Sequence, residues 1–326
     1  MPLSFVSGPT RVRVPATSAN LGPGFDALGL ALALHDDVTA RVTSGGCRVE
    51  VTGEGAGELP DDETHLVVRA MRAAFDVLGG QPTGLAIECV NRIPQARGLG
   101  SSSAAIVAGV QLARALVTDG GQRLDDAGAL RLAADIEGHP DNVAPCLLGG
   151  FTIAWTESAA AATAMRTGVL PGARAVSLPI APDVQPVVFV PGERGLTSVA
   201  RAALPADVPH RDAAFNAARS ALLVHAITTD PGLLFTATED RLHQGYRASG
   251  MPATAALLVA LREAGVAAVV SGAGPTVLAL SALPAGFAPG MDWTAHRLPV
   301  DMVGAQVAGG RLGHAERDPV AAGRKS

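Results

Sequence analysis

The 326 residues carry a formal net charge of −5 and are 48% hydrophobic and 17% charged; that is enough apolar material for an extended core, in two domains or one large one, and too much for a disordered chain. The acidic balance, the absence of a clustered basic face and an aromatic content of 3% argue against a nucleic-acid partner. No apolar run reaches membrane-spanning length without a charge, Pro or Gly, the N-terminus lacks the order of a signal peptide, and Cys47, Cys89 and Cys146 form no CxxC pair, so no membrane is expected and the thiols read as small reduced hydrophobes in a cytoplasm.

Residues 1–9 read as a loose arm, and Arg11 to Pro15 alternates as a short strand. The string ATSANLGPGFDALGLAL follows at 16–32; Gly22-Pro23-Gly24 forces a turn flanked by Asn20 and Asp26, so two polar side chains converge on one point. Standing alone, such a pair would be an Asx-capped turn. Val38 to Val42 and Arg48 to Thr52 read as strands, Gly53 to Asp62 as an acidic loop, and Thr64 to Leu78 as a helix closed by Gly79-Gly80.

Next comes a strand, Leu85 to Val90, then Pro94-Gln95-Ala96-Arg97-Gly98-Leu99-Gly100-Ser101-Ser102-Ser103-Ala104-Ala105, then a helix from Ser102 to Leu116. The glycines allow a sharp turn and a close approach of backbone to ligand. The serines sit where the first N–H groups of a helix lack partners, which with the helix dipole makes an anion site. It is not a Walker A loop, for the only lysine of the chain is Lys325, which also removes the strand lysine of a protein kinase. No glycine follows Gly98-Leu99-Gly100 at the spacing of a dinucleotide fingerprint.

A second helix is expected over Asp125 to Glu137, running into Gly138-His139-Pro140-Asp141-Asn142-Val143-Ala144-Pro145. Gly138 and Pro140 should break it and place His139, Asp141 and Asn142 on a turn. Gly149 to Trp155 reads as a strand and Ala159 to Ala164 is alanine-rich. Beyond it, strands are expected at 175–180, 185–190, 267–271, 276–281 and 301–309, helices at 197–203, 210–228, 235–242 and 252–264, and a disordered tail from Arg311. This alternation suggests an α+β sandwich.

Three of these strings, in order, closely resemble those of the GHMP kinases: Pro94 to Ala105 their ATP-phosphate loop, Ala16 to Leu32 the N-terminal signature of the homoserine branch, and Ser271-Gly272-Ala273-Gly274-Pro275-Thr276 the third motif. The Glu137 to Pro145 string points to the same branch, and no Gly-Glu-His string of the galactokinase or mevalonate kinase kind is present. The resemblance implies a two-domain α+β fold. Residues 1–165 would form an ATP-binding domain like ribosomal protein S5 domain 2, with a left-handed crossover. Residues 166–326 would form a ferredoxin-like domain.

The resemblance further implies an ATP-dependent phosphorylation of L-homoserine to O-phospho-L-homoserine, a step toward threonine, with Mg²⁺ held by Glu137 and Ser102, Ser101 being the alternative serine. Asn20, Asp26, His139 and Asn142 would line the acceptor pocket. Arg201 and Arg247 would hold the carboxylate, with the nearby Arg241 as the alternative to Arg247; the matching segment carries Gly245 where the branch has proline. Asp141 is the candidate general base or an orienting group. His65 stands where the branch usually has an asparagine that contacts the nucleoside. A homodimer is expected. The rivals are a GHMP kinase for another small alcohol and a silent sensor of ATP or an amino acid.

Overall fold

The computed structural model describes residues 3–158, 172–195 and 197–308. The first half runs β1 (Thr10–Ala19), β2 (Leu28–Thr43), β3 (Gly46–Gly53), α1 (Leu66–Leu78), β4 (Gly84–Asn91), α2 (Ser101–Leu116), α3 (Gly120–Arg123), α4 (Asp126–Glu137), α5 (Pro140–Leu148), β5 (Phe151–Glu157) and β6 (Gly172–Leu178). The rest is β7 (Val187–Pro191), α6 (Thr197–Ala202), α7 (His210–Thr228), α8 (Leu234–Ala237), α9 (Gln244–Arg247), α10 (Pro252–Glu263), β8 (Ala268–Val270), β9 (Val277–Ala279), β10 (Trp293–Arg297) and β11 (Gln306–Ala308). The alanine-rich stretch at 159–164, the boundary placed at 165/166 and the tail from Arg311 lie outside the described residues.

The spine is β2. Its 16 residues pair antiparallel with β1 along one edge, and on the other with β5 at the start and β4 at the end. β3 lies parallel to β4 with α1 crossing between them, and β6 extends β5. The seventh strand, β11, pairs with the outer edge of β1. A second sheet, in the order β10-β7-β9-β8, carries the later half.

Helix α1 shows how local sequence sets the packing. Val67, Val68, Ala70, Met71, Ala74, Phe75 and Leu78 recur at helical spacing and are all buried. Burial of each large side chain stabilises the fold by roughly 1.5–3 kcal/mol. Gly79, at φ 103°, takes the left-handed cap that ends the helix. The main core is continuous across the two halves, running from Phe75, Leu85 and Phe151 to Ile227, Val269 and Leu278. Cys89 and Cys146 are buried, Cys47 is half-buried, and none is in a disulfide.

Four expectations change. The arm expected to be loose over residues 1–9 is held where it is described, with Phe5 bridged to Val117 and set edge-on to Phe75. β2 begins at Leu28, well before Val38, because Leu28–Leu32 is buried on both faces and shows no alternation to read. Residues 140–148 form a helix and not a turn: Pro140 occupies the first helical position, where a fixed φ and a missing N–H do no harm. The helix expected over 235–242 stops at Ala237. Past it, the Asp240 carboxylate accepts the backbone N–H groups of Leu242, His243 and Gln244 and holds a turn.

Candidate active site

The glycine loop is shaped by what it packs against. Gly98 and Gly100 have φ of 75° and 70°, a region that side chains rarely enter. A Cβ on Gly98 would collide with the carbonyl oxygen of Ser271, and one on Gly100 with Oγ1 of Thr17. The Ser271 hydroxyl donates to the Gly98 carbonyl at 2.6 Å and lies 2.8 Å from that of Ser18. Arg97 lines the cavity, yet its guanidinium donates to the carbonyls of Gln95, Pro191 and Gly192, stapling the loop to the end of β7. With Gly100 as N-cap and no side chain capping it, the open end of α2 is left with free N–H groups.

A cavity of about 460 Å³ opens at that helix end. Gln95 to Ser102 and Ala104 border it, while Pro94 and Ser103 do not. Ser103 reaches the site indirectly: its hydroxyl and that of Ser102 both donate to Oε1 of Glu137 at 2.8 Å. Glu137 is the last residue of α4, and the left-handed Gly138 turns the chain away after it.

One wall is apolar. Val14, Val38, Leu59, Pro60 and Leu66 form it, together with His65. His65 caps α1: its Nδ1 accepts the N–H of Val67 at 3.2 Å, so the proton must sit on Nε2. That Nε2 is buried without a partner, and burial pulls the imidazole below its ordinary pKa. Asp36 is on the same wall; one of its oxygens, Oδ1, accepts from the N–H groups of Arg92 and Ile93. Burial nevertheless lifts its carboxyl to about 6.

The other wall is charged. Asp26 and Arg201 form a two-pronged ion pair at 3.0 and 2.9 Å, which raises the Arg201 pKa. Asn20 accepts the N–H of Asp26 and donates to the carbonyl of Gly272 at 2.8 Å, tying the N-terminal turn to the third motif. Asn20, Leu21 and Asp26 all have positive φ, so the turn is strained and held by these bonds. Arg247 is buried; its Nε donates to the Ala200 carbonyl, and burial, then Arg201, lowers its pKa. His139 and Asp141 are joined at 2.6 Å, a bond that raises the His139 pKa. Asp141 is buried in the first turn of α5, and Asn142 accepts from Thr17 at 2.9 Å. Arg241 lies off this wall, stacked on Phe215 and paired with Asp212.

The donor set of Glu137, Ser102 and Ser103 is all hard oxygen, and among the described residues no cluster of three His, Cys, Asp or Glu could cage a metal. That fits a cation such as Mg²⁺, which takes few protein oxygens and completes its shell with phosphate and water.

Sequence reasoning missed Thr17, Asp36 and His243. Thr17 carries a hint in its string; the other two are brought in by contacts across the fold.

Residues 65–150 match the GHMP kinases N terminal domain and residues 223–285 the GHMP kinases C terminal domain. A homoserine kinase of Streptomyces coelicolor is 57% identical over 308 residues, covering 93% of this chain and 96% of its own. One of Clavibacter michiganensis is 49% identical, covering 91% and 93%. Among solved structures, a homoserine kinase from Cytophaga hutchinsonii superposes with a TM-score of 0.74 at 25% identity, over 94% of this chain and 99% of that one. A putative homoserine kinase from Listeria monocytogenes gives 0.69 at 32%, over 91% and 98%. At 57% and 49% identity over more than nine-tenths of both chains, and with both GHMP domains matched, the chain belongs to the homoserine kinase family of the GHMP kinases.

Proposed function

We propose that this chain transfers the γ-phosphoryl group of ATP to the side-chain hydroxyl of L-homoserine, giving ADP and O-phospho-L-homoserine. The observation that carries the reading is the sharing of one cavity by the free N-terminus of α2 and the Asp26–Arg201–Arg247 group. An anion site alone would suit any phosphate ligand. A carboxylate and two guanidiniums beside it suit an α-amino acid.

The apolar wall receives the nucleoside, with the Nε2–H of His65 as a donor to it. Loop N–H groups from Gly98 to Ser103 hold the phosphates. Glu137 and Ser102 hold Mg²⁺, which when bound offsets negative charge on the β- and γ-phosphates. Asp26 takes the ammonium of homoserine, while Arg201 and Arg247 take its carboxylate. Asn142, His139 and the bond of Asn20 to Asp26 fix the acceptor end. Asp141 accepts the proton as the hydroxyl oxygen bonds to phosphorus and the bond to the β-phosphate oxygen breaks. No lysine precedes Lys325, so no lysine assists. The reading extends to a homodimer in a cytoplasm; the three unpaired thiols support a reducing compartment, and no described helix is long and apolar enough to cross a membrane.

The test is ADP release with Mg-ATP and L-homoserine, mevalonate, galactose or L-serine, each alone. Release with homoserine only is expected. Release with another alcohol instead would overturn the pocket assignment, and no release with retained ATP binding would favour a sensor.

A further inference from the structure

His243 is fully buried between two parts of the charged wall. Its Nε2 lies 2.8 Å from the carbonyl oxygen of Gly22, and its Nδ1 lies 3.2 Å from Nη1 of Arg247. A carbonyl can only accept and a guanidinium can only donate, so the ring is neutral with its proton on Nε2. The backbone around it is fixed: Asp240 holds the N–H of His243 and that of Gln244, and Gln244 accepts from the N–H of Val270 on β8. Phe25 covers the ring, with centroids 5.1 Å apart, and the guanidiniums of Arg247 and Arg201 lie over that phenyl at 5.4 and 5.7 Å.

Arg247 is thereby oriented from within. Its Nε is taken by Ala200, and its Nη1 faces His243 and, at 3.4 Å, the Gly272 carbonyl. Among the described residues Nη2 has no such bond, and Arg247 lines the cavity. The Gly22 turn in turn carries Asn20 and Asp26.

We infer that His243 is a positioning residue that sets the spacing between Arg247 and the Gly22–Asp26 turn, and so between the carboxylate and ammonium ends of the amino-acid substrate. This rests on the proposed role of Arg247 in binding the carboxylate. His243 touches neither substrate. Loss of its bond to Arg247 frees the carboxylate end, and loss of its bond to Gly22 frees the ammonium end, without altering the phosphate loop.

The test compares His243→Asn and His243→Gln with wild type and with Arg247→Ala. Asn keeps an acceptor where Nδ1 stands and loses the Gly22 bond. Gln places an amide near Nε2 and loses the bond to Arg247. The readouts are KM for homoserine, KM for ATP, and the preference for homoserine over 3-aminopropan-1-ol, which lacks only the carboxylate. His243→Gln is expected to raise the homoserine KM by ~10-fold or more, the loss of about one charge-assisted bond. It should erode that preference and leave the ATP KM within ~2-fold. His243→Asn should keep most of the preference, because the Arg247 bond survives, and raise the KM values for homoserine and 3-aminopropan-1-ol alike, because the Gly22 bond is lost. Equal effects on the homoserine and ATP KM values, or no effect in either variant while Arg247→Ala loses the preference, would overturn the coupling alone. An Arg247→Ala enzyme that keeps the full preference would overturn the carboxylate assignment and the coupling with it. If Gln fails to fold, an Asn variant that keeps the preference and raises both amine KM values supports the coupling, and one whose preference matches that of Arg247→Ala, or whose KM values are those of wild type, overturns it.

Discussion

Arg201 holds Asp26 through both terminal nitrogens, at 3.0 and 2.9 Å, across 175 residues of sequence. Each group is the proposed partner of one end of a zwitterion, so without substrate they satisfy each other. The pair is half-exposed, and such pairs contribute only ~0–1 kcal/mol, so opening it costs little. Arg201→Lys removes the two-pronged grip and keeps the charge. The homoserine KM should rise roughly 10-fold or more, as one strong bond is lost, with the melting temperature nearly unchanged. A variant that binds homoserine normally would remove Arg201 from the pocket.

Glu137→Gln keeps the shape and the acceptor for Ser102 and Ser103 but discards the charge that would hold Mg²⁺. Turnover should fall by roughly 10²–10³-fold, with a raised requirement for Mg²⁺ in a titration at fixed ATP. Retention of the wild-type Mg²⁺ dependence would point to a different ligand.

Asp141→Asn separates a base from an orienting group. As the base, its loss should cost ~10²-fold or more in turnover; a loss of only a few-fold would leave Asp141 an orienter. An independent readout is His139, whose pKa is raised chiefly by its bond to Asp141. In the variant the imidazole should titrate lower by NMR, whatever happens to turnover.

Asp36 gives a pH dependence with a defined sign. Its carboxyl is raised from 3.8 to about 6 in the folded chain, so the folded state holds the proton longer than the unfolded one. The contribution is most favourable below the unfolded value and declines as pH rises to about 6, for about 3 kcal/mol in all by linkage. Both backbone donors land on Oδ1, so Asp36→Asn can keep them while burying no charge. The variant should melt higher than wild type at pH 8, with the gap closing toward pH 4. A variant that melts lower at pH 8 would show that the charge is needed.

The shape of the glycine loop was legible because glycine, serine and a following apolar helix each have one local meaning. Gly98 and Gly100 take the left-handed conformations that their identity suggests, and α2 begins within one residue of the expected start. His65 was legible as a position, while its role as the cap of α1, with Nε2 left over, needed the Val67 N–H in space. Pro140 misled because a proline after a glycine reads as an end, although it is equally a good beginning. His243 was out of reach, since its two bonds join residues 221 and 4 positions away. Nothing in the local string says which carbonyl it will meet.

The return of β11 to the edge of β1 has a consequence for how the protein is made. Register pairs Arg11 with Ala308, and Gly149 and Gly304 meet backbone to backbone where Asp301 bonds to Gly150. During synthesis the first strand therefore leaves the ribosome with an unpaired edge that stays open until nearly 300 further residues have emerged. Over that interval the nascent chain is exposed to wrong pairings. A chain stopped before Gln306 would keep every residue of the proposed site, yet would carry that open edge into the finished protein.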